Sequence, residues 1–247
     1  MQTGMSLQDV KIFQGVSDDA LRAIEDQARW RTCHKGVEII RHQDDSNDIV
    51  FILSGMARVN IYSSSGRVVT FRDIGPGEFV GELSAIDGAP RSAVIEALEP
   101  CKVVYLSSAA FWDVLENEPT VLKAVLLYFT QQVRALTARV YEFSTLAVRN
   151  RIHAELLRLC CTDPDDQSRG HIEPAPTHAE MASRVATHRE AVTRELRRLM
   201  SIGLLEKSGR DLIIVDLKKL SDMVHEVDDA CSRAWLHLRK IVRKLTF

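Results

Sequence analysis

The 247-residue sequence has little of what marks secreted, metal-binding or membrane proteins. Its five cysteines are scattered and odd in number, and no Cys-x-x-Cys or Cys/His spacing suggests zinc or an iron–sulfur cluster. No segment approaches the roughly 18 consecutive apolar residues that a membrane span requires. Residues 1–9 lack the basic start and apolar core of a secretory signal. These absences predict reduced thiols, no metal, no membrane partner and a cytoplasmic location.

The composition is that of a globular protein, with 45% hydrophobic and 27% charged residues. The length allows one large domain or two of ordinary size. The net charge of −2 conceals an asymmetry, because residues 1–137 carry a net −5 and residues 138–247 a net +3. A mildly basic C-terminal part is compatible with binding to nucleic acid.

The first half of the sequence indicates a β-domain preceded by short helices over residues 8–30. From Thr32 to Leu106, short runs rich in Val, Ile and Phe alternate with turn signals. This regular spacing is typical of an antiparallel β-barrel or jelly roll. The predicted strands are Val37–Ile40, Ile49–Leu53, Ala57–Tyr62, Val68–Ile74, Val94–Ala97 and Val103–Leu106.

A long helix is predicted after Pro119, because apolar residues recur there at alternating spacings of four and three. They are Leu122, Leu126, Phe129, Val133, Leu136, Val140, Phe143 and Ala147. Such a heptad pattern favours a coiled-coil seam, and a homodimer through residues 122–147 is its simplest form. The alternative is a single amphipathic helix that packs on its own domain.

The last third of the sequence has the order helix, turn, helix, hairpin. Residues 163–176 read as a loop, and Thr177–Ser201 as two helical stretches with a break near Ala186–His188. Leu204–Val215 reads as a hairpin, and this order is typical of a winged helix-turn-helix. The predicted fold is therefore α+β. Its domains are residues 1–118 (β-jelly roll with N-terminal helices), 119–148 (dimerisation helix), 149–216 (winged helix-turn-helix) and 217–247 (helical extension).

One stretch between the predicted strands has the residues that a cyclic nucleotide requires. A cyclic phosphate is best bound by a planar, bidentate cation such as Arg, and a ribose hydroxyl by a carboxylate. Close approach of backbone amides to phosphate requires Gly and small residues at a tight turn. Gly81, Glu82, Ser84, Arg91 and Ser92 supply these groups within a dozen positions.

The strings Gly81-Glu82-Leu83 and Arg91-Ser92-Ala93 resemble the phosphate-binding cassette of the catabolite activator (CRP/FNR) family. The resemblance extends from about residue 8 to about residue 220. It implies a cyclic nucleotide as effector and no metal. The residues that it assigns to the ligand are Gly81, Glu82, Leu83, Ser84, Arg91, Ser92, Ala93 and Thr137.

Within that resemblance, Glu82 would accept the ribose 2′-hydroxyl and Arg91 would clamp the cyclic phosphate. Family members that use cyclic AMP recognise adenine through two adjacent hydroxyl residues on the dimer helix. This sequence has Leu136-Thr137 at those positions, so only the second hydroxyl is kept. Cyclic AMP is the expected effector, and cyclic GMP stays open as an alternative.

The second helix of the turn motif carries one polar face, at about 100° per residue. Arg189, Glu190, Thr193 and Arg194 share it, while Val192, Leu196 and Leu199 lie on another side. Arg can pair with guanine and Glu can accept from the cytosine amino group. The string Arg189-Glu190, Val192 and Arg194 resembles the CRP/FNR recognition helix. That implies a half-site with a GTGA-like core on double-stranded DNA, repeated as an inverted palindrome by the dimer. Further candidate phosphate contacts are Thr177, Arg197, Lys207 and Arg210.

Other functions have less support in the sequence. Neither His34 nor His42 is marked as a haem ligand, and the cysteine cluster of iron–sulfur sensors is absent. No phosphate loop ending in Lys, HExxH motif or nucleophile elbow supports a hydrolase. A non-nucleotide effector and a module that acts on a protein partner remain as alternatives. The prediction is a homodimeric regulator that is not an enzyme, with RNA polymerase as a further expected partner.

Overall fold

The computed structural model describes residues 6–42, 44–62 and 68–225 of the chain. It contains two compact units, residues 1–129 and residues 130–247. Helices and antiparallel sheets occur in both units, which confirms the predicted α+β class. The boundary between the units lies within one long helix.

The described part of the first unit begins with two 3₁₀ turns and one capped helix, followed by eight strands. Ser17 accepts a hydrogen bond from the amide of Ala20 and so caps the first helix. The elements are 3₁₀ turns Leu7–Asp9 and Lys11–Phe13, α1 Asp18–Asp26, β1 Arg29–Cys33, β2 Glu38–Ile40, β3 Ile49–Ser54, β4 Ala57–Tyr62, β5 Val68–Ile74, β6 Phe79–Val80, α2 Glu82–Asp87, β7 Val94–Ala97, β8 Cys101–Leu106 and α3 Ser108–Asn117.

The eight strands form two four-stranded sheets with the orders β1-β8-β3-β6 and β2-β7-β4-β5. All of their pairings are antiparallel. This strand order is that of a jelly roll, as the sequence predicts.

Strand β3 explains why the sequence reads Ile-Val-Phe-Ile-Leu without alternation. Val50 and Ile52 belong to a core that contains residues of both sheets. Ile49, Phe51 and Leu53 belong to a second core, made with the N-terminal turns, α1 and α3. Because side chains alternate across a strand, a strand that is buried on both faces is apolar throughout.

The long helix α4 spans Pro119–Thr145 and is followed by the elements of the second unit. Up to residue 225, a four-stranded sheet, β11-β12-β10-β9, accompanies four further helices there. These elements are α5 Val148–Leu159, β9 Cys161–Thr162, β10 Gly170–Ile172, α6 His178–Arg184, α7 Arg189–Ser201, β11 Leu205–Ser208, β12 Asp211–Ile214 and α8 Leu217–His225.

Helix α7 packs on α6 as its pattern predicts. Val192, Leu196 and Leu199 are buried in the core of the second unit, together with Met181 and Val185. The break between the two helices contains Ala186, a non-glycine residue with φ of +50°. The order α6, turn, α7 and β11–β12 hairpin is that of a winged helix-turn-helix.

A buried ionic cluster joins the end of α4 to α5 and α6. The carboxylate of Glu155 accepts from Arg139 at 2.7 Å, contacts Arg158, and lies 3.7 Å from Arg184. Arg158 also binds both oxygens of Glu142, at 2.7 and 2.8 Å. The cluster therefore ties three helices of the second unit together by charge as well as by apolar contact.

Several predicted boundaries are wrong. The helical region ends at Asp26, and residues 29–30 begin strand β1. The stretch 163–176 is not all loop, because Gly170–Ile172 pairs with both β12 and β9. Helix α4 ends at Thr145, so Ala147 caps α5 in an extended conformation instead of continuing the seam. The part of the predicted helical tail beyond residue 225 lies outside the described residues.

Candidate functional sites

The first candidate site is the turn between β6 and α2, which requires a glycine at position 81. Gly81 has φ of +83°, a left-handed conformation that non-glycine residues rarely adopt. A Cβ at this position would lie 2.6 Å from a terminal nitrogen of Arg91 and 2.9 Å from the carbonyl oxygen of Asp48. The glycine thus allows the arginine to lie directly against the backbone of the turn.

Arg91 is a buried cation, only 3% exposed. Its guanidinium donates to the carbonyls of Gly81 at 3.1 Å and Asp48 at 2.7 Å, and to the hydroxyl of Ser46 at 3.4 Å. Its buried Nε has no hydrogen-bond partner among the described residues. Burial lowers the pKa of Arg91, and the carboxylates of Asp48, Asp44 and Glu82 oppose that shift from a distance.

No carboxylate of the described residues lies within ion-pair distance of Arg91; its direct partners are two carbonyls and a hydroxyl. An isolated buried charge is costly unless an opposite charge accompanies it. An anionic ligand is the group that would supply this charge, and a cyclic phosphate fits this donor set. Perturbed groups that gather in one place are typical of functional sites.

Glu82 opens helix α2 and is half-buried. Burial raises the pKa of its carboxyl, while Arg72, the Tyr128 hydroxyl and Arg91 oppose that shift. Ser84 is buried, Leu83 and Ser92 are exposed, and Ala93 is half-buried, all within the segment 81–93. The structure thus brings seven of the eight predicted ligand residues into one segment.

The eighth residue, Thr137, lies on α4 in the second unit. Its side chain is exposed, and its hydroxyl donates to the carbonyl of Val133 at 2.9 Å. Leu136 beside it is exposed as well. Because the two residues belong to the other unit, their part in the ligand site stays a prediction.

Two residues near Glu82 escaped the sequence analysis. Arg72 of β5 donates to the carboxylate of Glu78 at 3.0 Å and to the hydroxyl of Tyr128 at 2.9 Å. The Tyr128 ring lies against Phe79, with centroids 4.5 Å apart. Strand β5 also contains Thr70 and Asp73, so the charge of Arg72 did not distinguish it in the sequence.

The second candidate site is the exposed face of α7. Five of the eight residues predicted to contact DNA line one shallow, open surface: Arg189, Glu190, Thr193, Arg194 and Arg197. Another of them, Thr177, caps α6 in a capping box. Its hydroxyl accepts from the amide of Glu180 at 3.2 Å, and the Glu180 carboxylate accepts from the Thr177 amide at 2.7 Å.

His178 of α6 interacts with residues of both helix α7 and strand β11. Its Nδ1 lies 2.7 Å from the hydroxyl of Thr193. Burial lowers the pKa of His178, and so do the positive charges of Arg189, Lys207 and Arg197. The positive charges of α7 and of strand β11 therefore act on the same side chain of α6, and positive charge of this kind suits a phosphate backbone.

The buried side of α7 is held by a polar contact that the sequence analysis did not identify. Glu195 lies 2.6 Å from His153 of α5 and also binds Arg198. Burial lowers the pKa of His153, and its Nδ1 has no hydrogen-bond partner in the described chain. A neutral imidazole that donates from Nε2 fits both observations.

Other kinds of site find no support in the described ranges. No group of three or more His, Cys, Asp or Glu residues there could hold a metal ion. None of the helices described is long and apolar enough to cross a membrane.

Two family models match this chain. Residues 30–118 match the cyclic nucleotide-binding domain, and residues 150–223 match the Crp-like helix-turn-helix domain. The transcriptional regulator SdrP of Thermus thermophilus is 28% identical over 173 residues, which are 70% of this chain and 81% of SdrP. The cAMP-activated global transcriptional regulator Vfr of Pseudomonas aeruginosa is 26% identical over 185 residues, 71% of this chain and 84% of Vfr.

A solved structure supports the same fold. The c-di-GMP responsive global regulator CLP of Xanthomonas campestris has a TM-score of 0.67 at 19% identity, covering 80% of this chain and 99% of CLP.

A ligand-binding β-domain followed by a DNA-binding winged helix defines a transcription regulator controlled by a small molecule. The chain belongs to the CRP/FNR family, whose members are regulators and not enzymes. Its helix-turn-helix domain indicates DNA binding, and CRP-family regulators are dimers.

Proposed function

We propose that the chain is a homodimeric transcription regulator that binds palindromic DNA under the control of a cyclic nucleotide, with cyclic AMP as the preferred effector. The observation that carries this proposal is Arg91, a buried guanidinium whose direct partners are carbonyls and a hydroxyl rather than a carboxylate. A cyclic phosphate carries one negative charge and would provide the missing counter-ion.

In this proposal each residue of the segment has one task. Arg91 holds the cyclic phosphate, and the Gly81 backbone and Ser92 complete its cradle. Glu82 accepts the ribose 2′-hydroxyl. Leu83, Ser84 and Ala93 belong to the same segment. Thr137 of the long helix contacts the base, and this contact would couple the ligand to the helix.

The identity of the nucleotide is the finer part of the proposal. Vfr is described as cAMP-activated and CLP as c-di-GMP responsive, so similar chains respond to different molecules. Loss of the first adenine-reading hydroxyl at Leu136 makes cyclic GMP the alternative effector. A non-nucleotide effector is the other alternative, and the buried Arg91 argues against it.

Calorimetric titration of cyclic AMP, cyclic GMP and cyclic di-GMP tests the ligand. Arg91→Gln is expected to lose at least about 100-fold in affinity, because two charge-assisted hydrogen bonds contribute about 1.5–3 kcal/mol each. Arg41→Gln is the matched control, since Arg41 is exposed and pairs with the partly exposed Glu38. Unchanged binding in Arg91→Gln would contradict the assigned phosphate site.

The DNA-reading part of the proposal rests on the open face of α7. Arg189, Glu190 and Arg194 would contact base edges, and Thr193 lies between them. Thr177, Arg197, Lys207 and Arg210 would contact phosphates. Arg189→Ala should cost about 1–3 kcal/mol at one base pair of a GTGA-like half-site. Arg197→Ala should instead weaken binding evenly across sequences; an even loss for Arg189→Ala would make that residue a phosphate contact.

The dimer part of the proposal rests on exposed apolar residues of α4. Leu126, Val133 and Val140 are 58%, 61% and 65% exposed and follow the predicted seam. Contiguous apolar surface of this kind is typical of an interface. The nucleotide would then favour one arrangement of the two seam helices, with recognition helices about 34 Å apart. It can do so only through different affinities for the two states.

The remaining parts of the proposal follow from the family alone. Contact with RNA polymerase and a cytoplasmic location are expected of a transcription regulator. We also propose that the functional division of the chain is 1–118, 119–148, 149–216 and 217–247. The last segment has no assigned task.

A further inference from the structure

The side chain of Arg139 joins the long helix α4 to two other helices. One of its terminal nitrogens donates to the carboxylate of Glu155 of α5 at 2.7 Å, and the other donates to the backbone carbonyl of Arg184 of α6 at 2.9 Å. The Glu155 carboxylate in turn lies 3.7 Å from the Arg184 guanidinium. One guanidinium therefore holds α4 against both α5 and α6.

The carbonyl that Arg139 binds lies where α6 leads into the recognition helix α7. Arg184 is the last residue of α6, and the last carbonyls of a helix lack intrahelical partners and favour a positive charge. The turn that follows is closely held, because the amide of Val185 donates to the carbonyl of Met181 at 3.1 Å and both residues are buried. A shift of Arg184 would therefore be passed through this turn to Arg189, where α7 begins.

Arg139 also lies beside the residues of α4 that the proposed function assigns to the ligand and to the dimer. It follows Thr137 closely enough in sequence that the two side chains lie about 200° apart around the helix. Thr137 and Val140 are exposed, whereas Arg139 is half-buried and binds α5 and α6. Different faces of one short helical segment would thus contact the ligand or second protomer on one side and the DNA-binding helices on the other.

We propose that Arg139 is the positioning residue through which a change in α4 reaches the recognition helix. This inference rests on the proposed function, in which the nucleotide favours one arrangement of the seam helices. The donors of a guanidinium stand in a fixed, planar fork, so a shift of α4 either carries the end of α6 with it or breaks one of the two hydrogen bonds. Either result changes the position of α7 and hence the affinity for DNA.

The test is the coupling factor, which is the ratio of the DNA affinities measured by anisotropy with and without saturating cyclic AMP or cyclic GMP. Arg139→Gln should lower this factor at least about fivefold, or to one if it is smaller, because coupling between two sites is typically about 5- to 150-fold. Glu155 keeps Arg158 and Arg184, so the variant should remain folded. Arg139→Lys keeps the charge but has a single nitrogen, and its factor should lie in between. Arg134→Gln is the matched control, because Arg134 is an exposed arginine of the same helix.

A second measurement distinguishes transmission from simple bracing of the fold. Coupling is reciprocal, so the factor by which the DNA duplex tightens nucleotide binding in calorimetry should fall equally in Arg139→Gln. Equal weakening of DNA binding with and without nucleotide would mean that Arg139 only braces the helix-turn-helix, and it would overturn the inference. A wild-type factor above one that Arg139→Gln retains refutes the inference alone and leaves the proposed function standing. A wild-type factor of one refutes nucleotide control and the inference with it.

Discussion

The buried carboxylate of Glu155 offers the sharpest test of what holds the DNA-binding unit together. Its side chain is 2% exposed and interacts with Arg139, Arg158 and Arg184. Glu155→Gln keeps the size of the side chain and removes its charge. The substitution therefore asks whether the charge cluster, rather than apolar packing alone, joins α4, α5 and α6.

The magnitude follows from the charges that surround the carboxylate. Burial by itself would raise the pKa of Glu155, but the attraction of Arg158, Arg139 and Arg184 outweighs it and holds the pKa below its usual range. Arg158 keeps Glu142 as a partner, whereas Arg139 loses the carboxylate that it binds. Removing one partner from a buried ionic cluster costs about 3–5 kcal/mol. This cost is a large part of the free energy of unfolding of a typical domain, which is about 5–15 kcal/mol.

The assay is urea and thermal unfolding of the full chain, followed by far-ultraviolet circular dichroism. For a unit of this size, a loss of about 3–5 kcal/mol lowers the melting temperature by at least roughly 10 °C. Glu206→Gln is the control, since its pair with Arg169 is exposed on both sides, and such pairs contribute about 0–1 kcal/mol. Equal stability of the two variants would refute the account of the cluster.

Three further changes test the ligand turn, a buried histidine and the seam. Gly81→Ala should weaken nucleotide binding at least tenfold in calorimetry, because the new Cβ would lie 2.6 Å from a guanidinium nitrogen of Arg91. Gly88→Ala is the control: Gly88 also has a positive φ, +70°, but no atom lies within 4 Å of the position of its Cβ, so this variant should bind the nucleotide normally. The lowered pKa of His153 means that the folded chain binds a proton at this residue less readily than the unfolded chain does. The free energy of unfolding should therefore fall as the pH drops below about 6.5. In urea titrations between pH 7 and pH 5, His153→Gln should reduce that fall. In analytical ultracentrifugation Val133→Glu should yield monomers and Arg134→Glu, one residue off the seam, should leave a dimer; a dimer in both would move the interface away from α4.

The sequence predicted those parts of the fold whose pattern is local. The central strands of the jelly roll and the buried face of α7 were identified because the spacing of apolar residues along the chain indicates which residues are buried. Strand β1 was missed because four of its five residues are exposed, including Trp30, so that it lacks the alternation of a half-buried strand. Strand β10 was missed because its three residues lie in a polar stretch and are defined by pairing with β12 and β9.

The candidate sites show the same division. Gly81, Glu82 and Arg91 are close in sequence, so a short motif was sufficient to find them. The contact between Arg72 and Tyr128 joins residues 56 positions apart, and no local pattern predicts it. The buried ionic cluster in the second unit likewise depends on how helices pack. Charged residues in an amphipathic sequence give no sign of which of them become buried.

The central claim is that a cyclic nucleotide controls DNA binding, and the most direct test is fluorescence anisotropy of a labelled palindromic GTGA duplex. The duplex is titrated with the protein in three conditions: without nucleotide, with cyclic AMP and with cyclic GMP. Tight binding with cyclic AMP and weak binding without nucleotide is the predicted result, and a response to cyclic GMP alone would keep the mechanism and reassign the ligand. Equal binding in all three conditions would contradict nucleotide control.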